Sequence, residues 1–567
     1  MQAFKFPVVW GIAALVFIAE TPLAGNGTEE RETLATSVSI PELRVLVIRS
    51  ADLDEFPALP DHAAGLLAIS GLPLLDEPAF RRTARGYLGR PFSDRGLAEL
   101  VGEIEKTYRA NRRPVVEVDV VRVEQQRGLL ELKVREARIR QVQVTGNRWF
   151  RRTVFTRKSR LRAGDRIDSG MVNEDVDWMD RNPFRVVDAR FEPTDEPGEV
   201  DLVFEVKDRF PFRLYGGFEN TGNTILGEER FIAGFNWGHL LALDHELHYE
   251  FGAGRYFDRI MTHSAAYVAP LPSRHELTLY GHYSDVDLEA NDFPAEIEGE
   301  NLEIGARYTI FLVGWQNPSG DLRLSQELFF GADFKRAETA VEYGAAEVFS
   351  PATEIIQGVG GYRGVFRDPL GQTELEAAVF YSPGNFLSER NRDGVFDEAR
   401  PGAPTRYAYT RIGLERETFL DDGFSLFTRG AYQYADSRLL RSEQFGVGGY
   451  TSVRGYEERA AVGDSGYLLS AELRTPEFNW NRLFGVGRPG RDRWQLLGFV
   501  DYGMARNKDP EAGEFKRVHL MGAGPGLRVR IDDHFALRFD YGWQVRTDVP
   551  ENDSRDHRAH AAVVLSY

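Results

Sequence analysis

From about Phe210 to the last residue the chain keeps one rhythm, with apolar or aromatic side chains alternating with polar or charged ones. Glu246-Leu247-His248-Tyr249-Glu250-Phe251, Glu276-Leu277-Thr278-Leu279-Tyr280 and Phe535-Ala536-Leu537-Arg538-Phe539-Asp540-Tyr541 are typical runs. A period of two puts successive side chains on opposite faces of an extended strand. Alternation alone fits a soluble sandwich as well as a membrane barrel. Strand length separates them: the runs span roughly 9 to 13 residues, near the ~9 to 11 that cross a bilayer at a tilt and beyond the ~5 to 6 of soluble sheets. Short turns such as Asp532-Asp533 alternate with long polar loops such as Pro383 to Pro404, and Ala561, Val563, Leu565 and Tyr567 share one face of a final strand. The pattern predicts a closed antiparallel transmembrane β-barrel over residues 209–567 with about sixteen strands, an even number as single-chain barrels have.

Ahead of the barrel the periodicity is mixed. Over 44–136 a short apolar strand at Arg44 to Ile48 precedes two helical stretches, near Glu77 to Tyr87 and Ser93 to Asn111, and strands Val115 to Val123 and Leu129 to Glu136 close the unit. Leu97, Leu100, Val101, Ile104 and Tyr108 fall at helical spacing and predict packing onto that sheet. The same order recurs more briefly over 137–208, with strands Ile139 to Val144, Val186 to Phe191 and Val200 to Val206 around helices Arg151 to Ser159 and Ser169 to Asp180. Two small α+β domains in tandem are expected.

Residues 1–24 resemble an export signal, with Lys5 before an apolar stretch from Val8 to Ala19 and small residues at Ala24 and Gly25. Residues 25–43 are polar and read as a linker. No later stretch reaches the ~18 consecutive apolar residues of a spanning helix.

Composition narrows the chemistry. The chain has 56 Gly, 38 Phe and 22 Tyr but no Cys, which excludes disulfides and thiolate metal sites. A net charge of -18 argues against nucleic-acid partners. No nucleophile accompanies the His residues, and Asn391-Arg392-Asp393-Gly394 lacks the spaced carboxylates of a calcium loop and reads as a turn. No catalytic site, metal or cofactor is expected.

One stretch stands out within a polar loop after the eleventh inferred strand: Gly448-Gly449-Tyr450-Thr451-Ser452-Val453-Arg454-Gly455-Tyr456. Two strands later comes Gly498-Phe499-Val500-Asp501-Tyr502-Gly503, in which alternation puts Phe499 and Asp501 on one side. With these motifs in this order, and with Arg181-Asn182-Pro183-Phe184-Arg185 in the second small domain and a weaker Gly89-Arg90-Pro91-Phe92-Ser93 in the first, the sequence resembles the two-partner secretion transporters, the haemolysin secretion/activation group of the outer-membrane POTRA-barrel superfamily. The resemblance implies two POTRA-like domains in the periplasm before an outer-membrane barrel. It also implies that Val453, Arg454, Gly455 and Tyr456 form the tip of a loop (Ala435 to Ser465) folded into the lumen and locked on the wall by Asp501, with Phe499 and Gly503 beside it.

A guanidinium suits that task, because its rigid fork of donors matches a carboxylate. Glu472 is a further inward acid. The implied function is translocation of an unfolded secreted client polypeptide, with assembly and insertion of other barrels as the alternative. Outer-membrane lipid and the barrel-assembly machinery are the other expected partners. Leu100, Ile104 and Tyr108 are candidates for a client-binding groove, and the basic run Arg148, Arg151, Arg152, Arg157, Lys158, Arg160 and Arg162 could face lipid head groups or an acidic client. Such transporters can carry an N-terminal plug helix, for which 25–43 is short and only marginally helical.

Overall fold

The computed structural model describes residues 38–53, 65–222, 227–255, 257, 259–288, 296–317, 320–343, 346–386, 388–480, 492–511, 513–548 and 556–567. The expected export segment, residues 25–37 of the linker and any plug helix lie outside them. The chain divides into two units, an N-terminal one ending at Arg209 and a barrel from Phe210 onward.

In the N-terminal unit, Val45–Ser50 is an apolar run with both faces covered, as expected of a strand paired in parallel on both sides. It lies between Leu66–Ser70 and Leu129–Glu136, and Val116–Glu124 pairs antiparallel at the far edge. Helices Pro78–Arg85 and Asp94–Ala110 cover this sheet. The second domain repeats the plan with one strand fewer: Arg138–Thr145 and Arg185–Pro193 flank Glu199–Asp208, with helices Arg152–Lys158 and Ser169–Asp180. Asp168 caps the longer helix by accepting from Met171 N at 3.0 Å.

Three expectations are corrected here. Residues 38–43 are not linker: Ser39–Ile40 pairs with Phe92–Ser93, and Val38, Ile40 and Leu43 enter the first core. Leu66–Ser70 is an added strand. Leu100, Ile104 and Tyr108 form no groove, because the helical face they share is fully buried in that core.

The barrel closes with sixteen wall strands in chain order. They are Phe212–Glu219, Arg230–Leu240, His245–Ala253, Ile260–Leu271, His275–Leu288, Glu296–Phe311, Arg323–Tyr343, Ala346–Asp368, Gly371–Pro383, Arg406–Phe419, Ser425–Ala435, Ser465–Arg474, Asp492–Arg506, Arg517–Ile531, Phe535–Thr547 and His557–Ser566. The first pairs antiparallel with the last, from Tyr215↔Ser566 to Glu219↔Ala562, so no edge is left. Closure satisfies the backbone where no water can. The seventh and eighth strands run 21 and 23 residues, longer than expected from the sequence.

Alternation sorts the wall into two faces. On the thirteenth strand Leu496 and Val500 are exposed outward, while Leu497, Phe499 and Asp501 are buried inward. The outward residues give the barrel an apolar outer surface. Asn391 to Gly394 is only partly a turn: a helix, Asp393–Ala399, starts there, and Asp393 accepts from Thr405 N at 2.9 Å and its Oγ1 at 2.6 Å.

Candidate functional site in the barrel lumen

The loop joining the eleventh and twelfth strands folds into the barrel. A two-stranded ribbon, Phe445–Val447 paired with Ala461–Gly463, carries its tip. The tip turns sharply at Gly448, Gly449 and Gly455, whose φ values of 103°, 110° and 99° favour residues without a Cβ.

Arg454 is 2 % exposed and meets its partners on several strands. Its Nε and Nη2 donate to the two oxygens of Asp501 at 2.7 and 2.9 Å, and its backbone N–H donates to Oδ2 at 3.1 Å. Nη1 donates to Glu472 Oε1 at 2.7 Å and lies 3.6 Å from Asp540. The guanidinium also stacks on Phe499, 3.6 Å from the ring centroid. Ser470 Oγ donates to Asp501 Oδ1 at 2.6 Å, which fixes the acceptor. A bidentate ion pair with further hydrogen bonds is the arrangement in which a buried guanidinium is tolerated.

The rest of the motif is seated as firmly. Val453 and Tyr456 pack with Val447, Leu468, Ala505, Val518 and Leu520. Gly455 N–H donates to His560 Nε2 at 3.1 Å, its carbonyl accepts from Gln544 Nε2 at 2.9 Å, and the Tyr456 hydroxyl donates to Met521 O at 3.0 Å. Close approach depends on bare wall positions. A Cβ at Gly503 would come within 2.7 Å of Val453 Cγ2, one at Gly522 within 1.9 Å of Arg454 O, and one at Gly542 within 2.5 Å of Gly455 N.

The structure thus brings together Val453, Arg454, Gly455, Tyr456, Phe499, Asp501, Gly503 and Glu472. Sequence reasoning missed Asp540, which holds Arg528 and Arg538 at 2.7 and 2.8 Å, and missed Gly522, Gly542 and His560. Arg538 also stacks on Tyr450, 3.8 Å from its centroid. The inward parity of the fifteenth strand was the one available signal for Asp540. At the loop's far end Asp464 accepts from Leu439 N at 2.9 Å and Lys508 N at 2.9 Å and pairs with Arg400.

Residues 387–529, which contain this loop and most of its wall, match the family model of the haemolysin secretion/activation protein ShlB/FhaC/HecB, and residues 137–209 match the POTRA model, surface antigen variable number repeat. In these segments the chain is similar to the two-partner secretion transporters. It is 22 % identical over 501 residues to the heme/hemopexin transporter protein HuxB of Haemophilus influenzae, covering 85 % of this chain and 83 % of that protein. In fold it resembles CdiB from Escherichia coli, with a TM-score of 0.71 at 14 % identity over 96 % of this chain and 93 % of that one. CdiB from Acinetobacter baumannii gives 0.61 at 16 % identity over 93 % and 90 %. The chain is an outer-membrane β-barrel with periplasmic POTRA domains, and the proteins it resembles are transporters, not enzymes.

Proposed function

We propose that unfolded client polypeptide is received in the periplasm by the two POTRA domains and passes outward through the barrel lumen when the Arg454 loop lets go of the wall. No nucleotide is consumed. The observation that carries this reading is the burial of Arg454 against Asp501 and Glu472. A charged loop tip held inside the conduit costs desolvation that good pairing only offsets, so such a tip serves better as a releasable stop than as a source of stability. Outer-membrane lipid surrounds the wall in this reading, and the barrel-assembly machinery inserts it. The alternative of a barrel-assembly factor is not favoured by the family match.

The test is secretion of a candidate client, such as a large repeat-rich protein encoded beside the transporter. Arg454→Ala abolishes its appearance in the medium while leaving the barrel inserted and heat-modifiable on gels. Arg454→Lys fails nearly as badly, since an ammonium cannot span both oxygens of Asp501 and also reach Glu472. Normal secretion by either variant would overturn the proposed role.

A further inference from the structure

The Arg454 tip occupies the side of the lumen formed by the twelfth to sixteenth strands. The root of the same loop crosses to a different sector. Glu443 is fully buried there, and its Oε1 accepts from Lys335 Nζ of the seventh strand at 2.8 Å. Its Oε2 accepts from Tyr409 OH of the tenth strand at 2.7 Å and from Gln357 Nε2 of the eighth at 3.2 Å. The backbone carbonyl of Glu443 is held as well, by Gln433 Nε2 at 2.9 Å and Arg411 Nη2 at 3.2 Å. The side chain of Lys335 is only 7 % exposed, with Glu303 as a second carboxylate at 3.8 Å.

We infer that Glu443 and Lys335 form a second latch, which holds the root of the loop against the seventh, eighth and tenth strands and closes that part of the lumen independently of Arg454. The polarity is the reverse of the tip's: here the loop carries the acid and the wall the base. The ring stack of Tyr409 on Phe380, 4.6 Å between centroids, stiffens the wall behind it. Charge complementarity then fixes the register of the whole loop, because neither end can take the other's seat without facing like charge. Release of the tip alone opens one side of the conduit, and both latches must yield before the loop can leave.

The inference rests on the reading of the lumen as the conduit, and its test separates the two. Full-length Glu443→Gln, Lys335→Met and the double variant are compared with wild type in planar lipid bilayers, after heat-modifiable migration has established a folded barrel. Glutamine keeps the shape and its carbonyl can still accept from Tyr409, so Glu443→Gln removes the charge and the acceptor that Lys335 uses. Each single variant raises the fraction of time spent open roughly tenfold, because one partner is left buried without its counter-charge. The double variant opens no more than the leakier single, since both changes remove one shared interaction. Wild-type opening by both single variants, or two effects that simply multiply, overturns the latch while leaving the transport reading intact. That reading falls instead if Arg454→Ala secretes client normally.

Discussion

At the scale of single residues the loop seat is defined as much by missing atoms as by charges. Gly503, Gly522 and Gly542 sit on three successive wall strands, and each leaves room for a backbone or side-chain atom of the tip. Gly542→Ala therefore tests seating without touching any charge: its Cβ would meet Gly455 N at 2.5 Å, backbone against backbone, where neither side has a flexible end to give way. The expected outcome is a loosened tip with the ion-pair residues all present. Trypsin added to outer-membrane preparations then cuts within the 448–460 segment, which in wild type is protected, and an uncut loop in the variant would show that the seat tolerates a methyl group. The Arg454–Asp501 pair was legible from sequence because the loop motif and the thirteenth-strand motif, in that order, resemble the secretion-transporter pattern, which implies the pair, while parity put Asp501 on one side with Phe499. Gly522 and Gly542 were not, since a barrel strand rich in glycine gives no sign of which glycine faces a loop about seventy to ninety residues earlier in the chain.

At the scale of elements, the second POTRA domain contains a helix-to-strand joint that should respond to pH. Asp180 ends the helix Ser169–Asp180 and accepts from Val187 N at 2.5 Å. Burial pushes its carboxyl up to about 7, with the Val187 hydrogen bond opposing that rise only in part. A carboxyl whose pKa is raised on folding favours the folded joint most below its unfolded value near 4, and that contribution is lost as the pH rises toward 7. Hydrogen exchange in the full-length protein, corrected for the intrinsic pH dependence of exchange, should show the Met179 to Val187 amides losing protection from pH 5 to pH 8. Asp180→Asn should flatten that trend, and a variant with the wild-type slope would assign the effect to another group.

The same joint explains the Arg181-Asn182-Pro183-Phe184-Arg185 stretch. Asn182 Oδ1 accepts from Phe184 N at 3.1 Å, Phe184 enters the core, and Arg185 donates to Met179 O at 2.7 Å while lying over Phe150 and Phe155. Helices with a strong apolar stripe were legible to within a few residues. Leu66–Ser70 was not, because a five-residue parallel strand gains its partner only from distant Val45–Ser50. Asp393–Ala399 was missed for a local reason: Asp393-Gly394 is a turn signal, and the contacts that make it a helix start come from Thr405, beyond the helix.

At the scale of the whole molecule the question is which boundary a client crosses, the lumen or the seam between the first and last strands. The seam's ladder is short, running only from Tyr215↔Ser566 to Glu219↔Ala562, whereas that of the first and second strands runs from Phe212↔Trp237 to Glu219↔Arg230. A short ladder alone would make the seam a weak point. It is reinforced at both ends: Asn220 bridges Ala559 O and Ala561 N, each at 2.7 Å, and Leu214 and Tyr567 exchange backbone hydrogen bonds at 2.8 and 3.1 Å. Arg558 of the last strand adds a hydrogen bond to Gly222 O at 3.1 Å and an ion pair to Glu457 of the loop at 3.4 Å. These contacts favour a seam that stays shut while the loop moves, which supports the proposed passage through the lumen. Because the chain has no cysteine, a disulfide across the directly opposed pair Phe218↔Val563 can be introduced as the sole thiol pair, and opposed strand positions lie within disulfide reach. Secretion by the oxidised variant, with the cross-link verified on a non-reducing gel, should equal that of the reduced variant. Loss of secretion that returns on adding reductant would instead mean that the first and last strands must part for the client to leave.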